Sequence, residues 1–175
     1  MLFCLDFDHT MVKGHFHNAL MKSKLSKDDP QFLPYIEELL NDNTVGLKNG
    51  PEMKRFIQEG LKNGHKFAIT SYTMFPEAFN PALRRMGLTE DEITQIPQVA
   101  FLPMDQRVGK AGHMAQAMEQ TGIEDKTKVY LIDDSSNNCR VAKKGGFKVV
   151  EVDDDLNAPP DYLTDVTSIA MQLSV

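Results

Sequence analysis

Cysteine, net positive charge and long apolar runs are all in short supply in this chain of 175 residues. Its two cysteines, Cys4 and Cys139, fit no metal-binding or redox spacing. Cys4 sits in an apolar run and reads as a small buried hydrophobe. So low a count fits a reducing compartment. No stretch approaches the ~20 apolar residues that cross a bilayer, which excludes a membrane-spanning helix. Lys and Arg number 19 against 25 Asp and Glu, a formal charge of −6. That balance opposes nucleic-acid and anionic-membrane binding, although it is compatible with a local basic pocket. Internal repeats and low-complexity tracts are absent too. The opening Met1-Leu2-Phe3-Cys4-Leu5 has no basic flank and runs straight into acidic residues, so it reads as structure and not as a signal peptide. A cytoplasmic monomer is the expectation.

What is there is an ordinary globular mixture, 41% hydrophobic and 25% charged, in a chain long enough to bury one core without staples. Short apolar runs alternate with helix-like segments, the pattern of an α/β, doubly wound (Rossmann-like) parallel sheet with helices on both faces. Strands are expected at Leu2–Phe7, Lys66–Thr70, Val99–Leu102, Val129–Ile132 and Phe147–Val152. Helices are expected near 31–41, from Pro51 to just before Gly64, and over Glu77–Met86, Lys110–Gln120, Asn137–Lys144 and Tyr162–Leu173. Thr89-x-x-Glu92 has the form of a capping box. Residues from about Lys13 to Gly50 break the rhythm and read as a small cap or lid inserted after the first strand, in a single domain spanning 1–175.

Polar residues cluster where strands end. Asp6-Phe7-Asp8-His9-Thr10 closes the first strand, Ser71 follows the second, Lys110 opens the helix after the third, and Asp133-Asp134 closes the fourth. The carboxyl ends of parallel strands share one edge, so these residues converge on one crevice. Carboxylates crowded there repel, by about 4 kcal/mol for a pair at ~4 Å and an effective dielectric of 20. A hard divalent cation removes that penalty, and oxygen ligands with room for water or phosphate favour magnesium. A cation, a lysine and a serine hydroxyl make a phosphate site, in which a carboxylate can attack phosphorus.

The residues in this order resemble the haloacid dehalogenase (HAD) superfamily of phosphohydrolases. Asp6-Phe7-Asp8-His9-Thr10 matches its DxDxT signature, preceded by an apolar strand. Ile69-Thr70-Ser71, Lys110 and Leu131-Ile132-Asp133-Asp134 are similar to its second, third and fourth motifs. The resemblance implies a magnesium-dependent phosphoric monoester hydrolase working through an aspartyl phosphate. Asp6 would be the nucleophile and a magnesium ligand. Asp8 would be general acid and base, touching the metal through its backbone carbonyl. Thr10 would hold Asp8 and the turn. Ser71 would bind the phosphoryl group, with Tyr72 beside it, and Lys110 would neutralise Asp6 and the phosphate. Asp134 aligns with the metal-binding acid and Asp133 would stand behind it. Asn138, a turn further on, either positions Asp134 or serves the helix N-terminus.

Other readings carry less. The histidines His9, His15, His17 and His65 match no common zinc spacing, and the lid or the surface suits His15 and His17 better. The run Asp153-Asp154-Asp155 lacks the glycine and distal glutamate of a calcium loop and reads as a solvated turn. A two-component receiver domain would carry its acids in a different strand order. A non-catalytic HAD-like binding module would have no use for both Asp6 and Asp8. A phosphotransferase stays open. The partner is a phosphorylated substrate. So short an insertion leaves room for a bulky one, and the Ser71-Tyr72-Thr73 and Asp133-Asp134 patterns resemble small-capped magnesium-dependent phosphatases, some acting on phosphotyrosine. Sugar or nucleotide phosphates are the alternative.

Overall fold

The computed structural model describes residues 1–101, 109–153 and 161–172. Five strands form one sheet: β1 (Leu2–Leu5), β2 (Lys66–Thr70), β3 (Gln98–Val99), β4 (Val129–Asp133) and β5 (Lys148–Glu151). Their order is β3-β2-β1-β4-β5, and every pairing is parallel. The doubly wound α/β architecture expected from the sequence is therefore present. β1 lies at the centre, with Leu2–Leu5 in register with Lys66–Ile69 on one side and Val129–Ile132 on the other. All four of its residues are buried, as a strand covered on both faces requires.

Side chains alternate across the sheet into two unlike cores. Phe3, Leu5, Phe67, Ile69, Tyr130 and Ile132 face a large aromatic cluster. Leu2, Cys4, Ala68, Val129 and Leu131 face a smaller one. The smaller core is closed by Met114, Ala117 and Met118 of α6 (Lys110–Thr121) and Ala142 of α7 (Ser136–Lys144). The larger is closed by Met53, Phe56 and Ile57 of α3 (Gly50–Lys62), by Phe79, Ala82, Leu83 and Met86 of α4 (Phe79–Met86), and by Leu163 and Val166 of α8 (Asp161–Gln172). Phe67 comes so close to α3 that a Cβ at Gly60 would stand 2.5 Å from its ring, so the glycine makes room for the aromatic. Both cysteines are buried and free, and burial pushes each thiol up to about 12, which makes them packing residues.

Several boundaries differ from expectation. β1 stops at Leu5 because the Phe7 carbonyl accepts turn hydrogen bonds from Met11 and Val12 at 2.9 and 3.1 Å. β3 begins one residue early and is a two-residue edge strand; the expected strand end at 102 lies outside the described residues. α4 starts at Phe79, after a short 3₁₀ turn over Pro76–Ala78, which puts Pro81 inside the first turn where its missing N–H costs nothing. The capping box at Thr89 and Glu92 forms in full at the start of α5 (Glu90–Ile93).

The insertion departs most from its polar appearance. It is pinned at its neck by an antiparallel bridge between Val12 and Leu47 and by the Lys13 N–H on the Gly46 carbonyl at 2.8 Å. It holds two helices, α1 (Phe16–Ser23), which the sequence reading lacks, and α2 (Phe32–Asn41). Phe16, Leu20, Phe32 and Ile36 are buried in the same large core as β1. Phe7 meets Phe16 and Phe79 edge to face, with ring centroids 5.6 and 4.9 Å apart. Among the described residues, no helix is long and apolar enough to cross a membrane.

Candidate active site

The chain leaves β1 for β2 on one side and reaches β4 on the other, so the ends of β1 and β4 flank the point where strand order reverses. Open α/β sheets bind ligands at that point. The Asp6 N–H extends the ladder by one bond, 2.9 Å to the Ile132 carbonyl, and fixes Asp6 beside Asp133. The Ser71 N–H does the same toward Val99 at 2.9 Å.

Lys110 is the hub. It opens α6 directly after Gly109, whose φ of +66° suits glycine. Its side chain is wholly buried, and Nζ donates to Asp6 Oδ1 at 2.5 Å, to the Thr70 carbonyl at 2.6 Å and to Asp133 Oδ2 at 3.0 Å. These three bonds use every donor the ammonium has. Burial works against its charge, but the two carboxylates outweigh that and hold its pKa above the ordinary lysine value. Lys110 lies behind Asp6, beneath the cavity and without exposed surface.

Around it the acids fall into different settings. Burial, with Asp133 and Asp134 adding to it against Lys110, raises the Asp6 carboxyl to about 7. Asp133 is fully buried and accepts from the Ser135 N–H at 2.9 Å and from Asn138 Nδ2 at 3.1 and 3.2 Å. Ser135 caps α7, which brings Asn138 back over the end of β4. The Asn138 amide therefore holds Asp133, and not Asp134, because Asp133 is the one turned inward toward α7. Asp134 is half-buried and faces the cavity; burial first, then Asp133, raises its carboxyl. One oxygen each of Asp6, Asp133 and Asp134 lies within 4.8 Å of the others.

Asp8 turns elsewhere. Its Oδ1 accepts from the Phe16 N–H at 3.1 Å and its Oδ2 from the His17 N–H at 3.4 Å, so it caps α1 from outside the helix. Burial raises its pKa, opposed mainly by the His17 N–H. Sequence reasoning missed α1 because His15, at its N-cap, supplies no side-chain cap. The available signal was Phe16 and Leu20, four apart on one helical face. Thr10 is buried, and its hydroxyl makes no hydrogen bond among the described residues.

A cavity of about 420 Å³ opens over this edge. Asp6, Asp8, Ser71, Tyr72, Asp134 and Asn138 line it, with His9, His15 and His17 at the insertion side. The Ser71 hydroxyl accepts from the Thr73 N–H at 3.3 Å. Tyr72 is 47% exposed, and its ring packs edge-on against His113 with centroids 4.7 Å apart. His17 reaches across to Thr73, with Nδ1 3.2 Å from Oγ1, and ties the loop after β2 to α1. Asp8, Ser71, Tyr72 and Asp134 thus share one cavity with Asp6.

The donor set suits a hard cation. Three carboxylates meet here, Lys110 balances one charge, and all the ligand atoms are oxygens. Among the described residues no other group of His, Cys, Asp and Glu is so placed.

Solved structures share the fold. The chain is similar to a HAD-superfamily hydrolase from Ehrlichia chaffeensis, with a TM-score of 0.60 and 14% identity over 98% of this chain and 96% of that one. The fold is that of the HAD-superfamily hydrolases. The HAD domain of effector protein Lem4 from Legionella pneumophila matches with a TM-score of 0.58 and 18% identity over 97% of this chain and 96% of that one. A HAD-superfamily hydrolase of subfamily IA from Geobacter sulfurreducens matches with a TM-score of 0.51 and 14% identity over 86% and 88%. No protein-family model and no curated protein matches the sequence. In this HAD fold the insertion after β1 and the ends of β1, β2 and β4 enclose the cavity.

Proposed function

We propose that the chain is a magnesium-dependent phosphatase that hydrolyses phosphate monoesters through an aspartyl phosphate on Asp6. The observation that carries this reading is the pairing of two unlike aspartates two residues apart. Asp6 is backed by an ammonium, and Asp8 is held away from it at a helix N-terminus. A nucleophile should be ionised, toward which Lys110 works at Asp6 against burial, and a general acid should hold a proton, toward which burial works at Asp8 against its two N–H donors.

Lys110 engages Asp6 Oδ1 and orients the carboxylate. An Asp6 oxygen attacks phosphorus as the ester P–O bond breaks. Asp8 gives its proton to the leaving oxygen. Ionised Asp8 then takes a proton from water, which attacks the aspartyl phosphate, releases inorganic phosphate and restores Asp6. The Ser71 hydroxyl donates to a phosphoryl oxygen during both steps. Magnesium would be held by Asp6 and Asp134 with the Asp8 carbonyl, Asp133 standing behind them, and would supply charge neutralisation and a template for in-line transfer.

An aryl phosphate such as phosphotyrosine on a protein is the favoured substrate. Support comes from the half-exposed Tyr72 ring at the cavity wall, which offers a face to an aromatic leaving group. A small sugar or nucleotide phosphate is the second reading, favoured by a cavity volume within the ordinary small-ligand range.

The test is hydrolysis of 4-nitrophenyl phosphate with and without magnesium, by wild type and Asp6→Asn. Turnover that needs the metal and vanishes in the variant is expected. Turnover indifferent to both discards the mechanism. Phosphopeptide and metabolite panels then separate the two substrate readings.

A further inference from the structure

Lys48 is a lysine buried to 3% exposure at the far end of the insertion, immediately after the Leu47 that bridges to Val12. Its backbone N–H donates to the Met11 carbonyl at 2.9 Å. Its Nζ donates to the His9 carbonyl at 3.0 Å and to the Asp153 carbonyl at 2.6 Å. His9 stands at φ +59°, a left-handed conformation that a residue with a Cβ rarely adopts unless its surroundings impose it. Asp153 follows Val152, whose N–H donates to the Asp133 carbonyl at 3.0 Å. One ammonium therefore ties the turn that carries Asp8 to the segment paired with Asp133. Burying a lysine is costly, and a buried charge with well-made bonds fixes the geometry of what it holds.

We infer that Lys48 is a positioning residue for proton transfer, holding the left-handed turn at His9 so that the Asp8 carboxyl reaches the leaving oxygen. The inference rests on the proposed acid role of Asp8. It differs from a structural role in one respect. Misplacing a proton donor harms substrates in proportion to how much their leaving group needs the proton, whereas loosening the fold harms all substrates alike.

The experiment measures kcat/KM on two aryl phosphates of similar shape, 4-nitrophenyl phosphate, whose leaving phenoxide needs little protonation, and phenyl phosphate, whose phenoxide needs it. Wild type, Lys48→Met, Lys48→Arg and Asp8→Asn are compared at saturating magnesium. Lys48→Met is expected to lose about tenfold on phenyl phosphate and less than about threefold on the nitro compound, a fraction of what general acid catalysis contributes. Lys48→Arg, which keeps charged donors, should recover most of the phenyl phosphate rate. Equal losses on both substrates in Lys48→Met overturn the inference while leaving Asp8 in its role. Should Lys48→Met not fold, Lys48→Gln is read by the same ratio. If Asp8→Asn fails to discriminate between the substrates, the acid role itself falls, and the inference with it.

Discussion

Two pairs of aspartates end two neighbouring strands, and the fold treats them differently. At the end of β4, Asp133 and Asp134 are adjacent in sequence, so an extended backbone points them apart: one into the protein, one into the cavity. At the end of β1, Asp6 and Asp8 are two apart and would share a face if the strand continued. The turn at Phe7 breaks that, sending Asp6 to Lys110 and Asp8 to the N-terminus of α1. Each pair contributes one member to the lysine and one to the cavity side, where among the described residues neither Asp8 nor Asp134 has an ion pair. Four identical side chains thereby acquire four environments, set by spacing in one pair and by chain reversal in the other.

The comparison breaks most sharply at Asp6. Asp6→Asn should abolish turnover of an aryl phosphate while the melting transition stays cooperative; residual turnover at a tenth of wild type would transfer the nucleophile's role elsewhere. Next is the shared lysine. Lys110→Met leaves Asp6 and Asp133 buried without their cation and should cost about 3–5 kcal/mol of stability in urea unfolding.

Within the β4 pair, Asp133→Asn and Asp134→Asn should each weaken magnesium binding by about tenfold or more, measured by calorimetry. Only Asp133→Asn should also lower the melting temperature, because only Asp133 bonds Lys110. Equal melting points would erase the distinction between the two positions.

A pH series sharpens it further. The Asp6 carboxyl is raised from 3.8 to about 7 in the metal-free protein, chiefly by burial. A raised carboxyl binds a proton more tightly in the folded state. Its contribution is complete below the unfolded value and is lost as pH rises through about 7. Metal-free protein should therefore melt lower above neutrality than in mild acid, and magnesium, which takes the ionised form, should shrink or reverse the difference. The smallest effect belongs to Asn138→Ala, which removes the amide from Asp133 and should cost about 1 kcal/mol.

How much of this was legible depended on whether the signal was local. The apolar run Leu2–Leu5 and the acids after it declare β1 and its edge, because a buried parallel strand has no other composition. Lys110 was legible because it opens a helix after a strand. The helix α1 was not, since its cap is Asp8, seven residues before its first N–H partner's neighbour His15, and no local pattern marks such a cap. Lys48 was equally silent. A lysine in a polar insertion reads as solvated, and its second acceptor is the carbonyl of Asp153, 105 residues away. Asn138 was left between Asp134 and the helix N-terminus and in fact holds Asp133, because adjacency in sequence says nothing about which of two neighbours turns inward.

The two N–H groups at the start of α1 make the wall of the cavity and the mount of Asp8, the proposed proton donor, a single mechanical part. Any oversized ester that pushes this wall outward drags the donor away from the bond it should help to cleave. In the proposed mechanism, bulk on the insertion side is therefore punished in rate, even where it still fits.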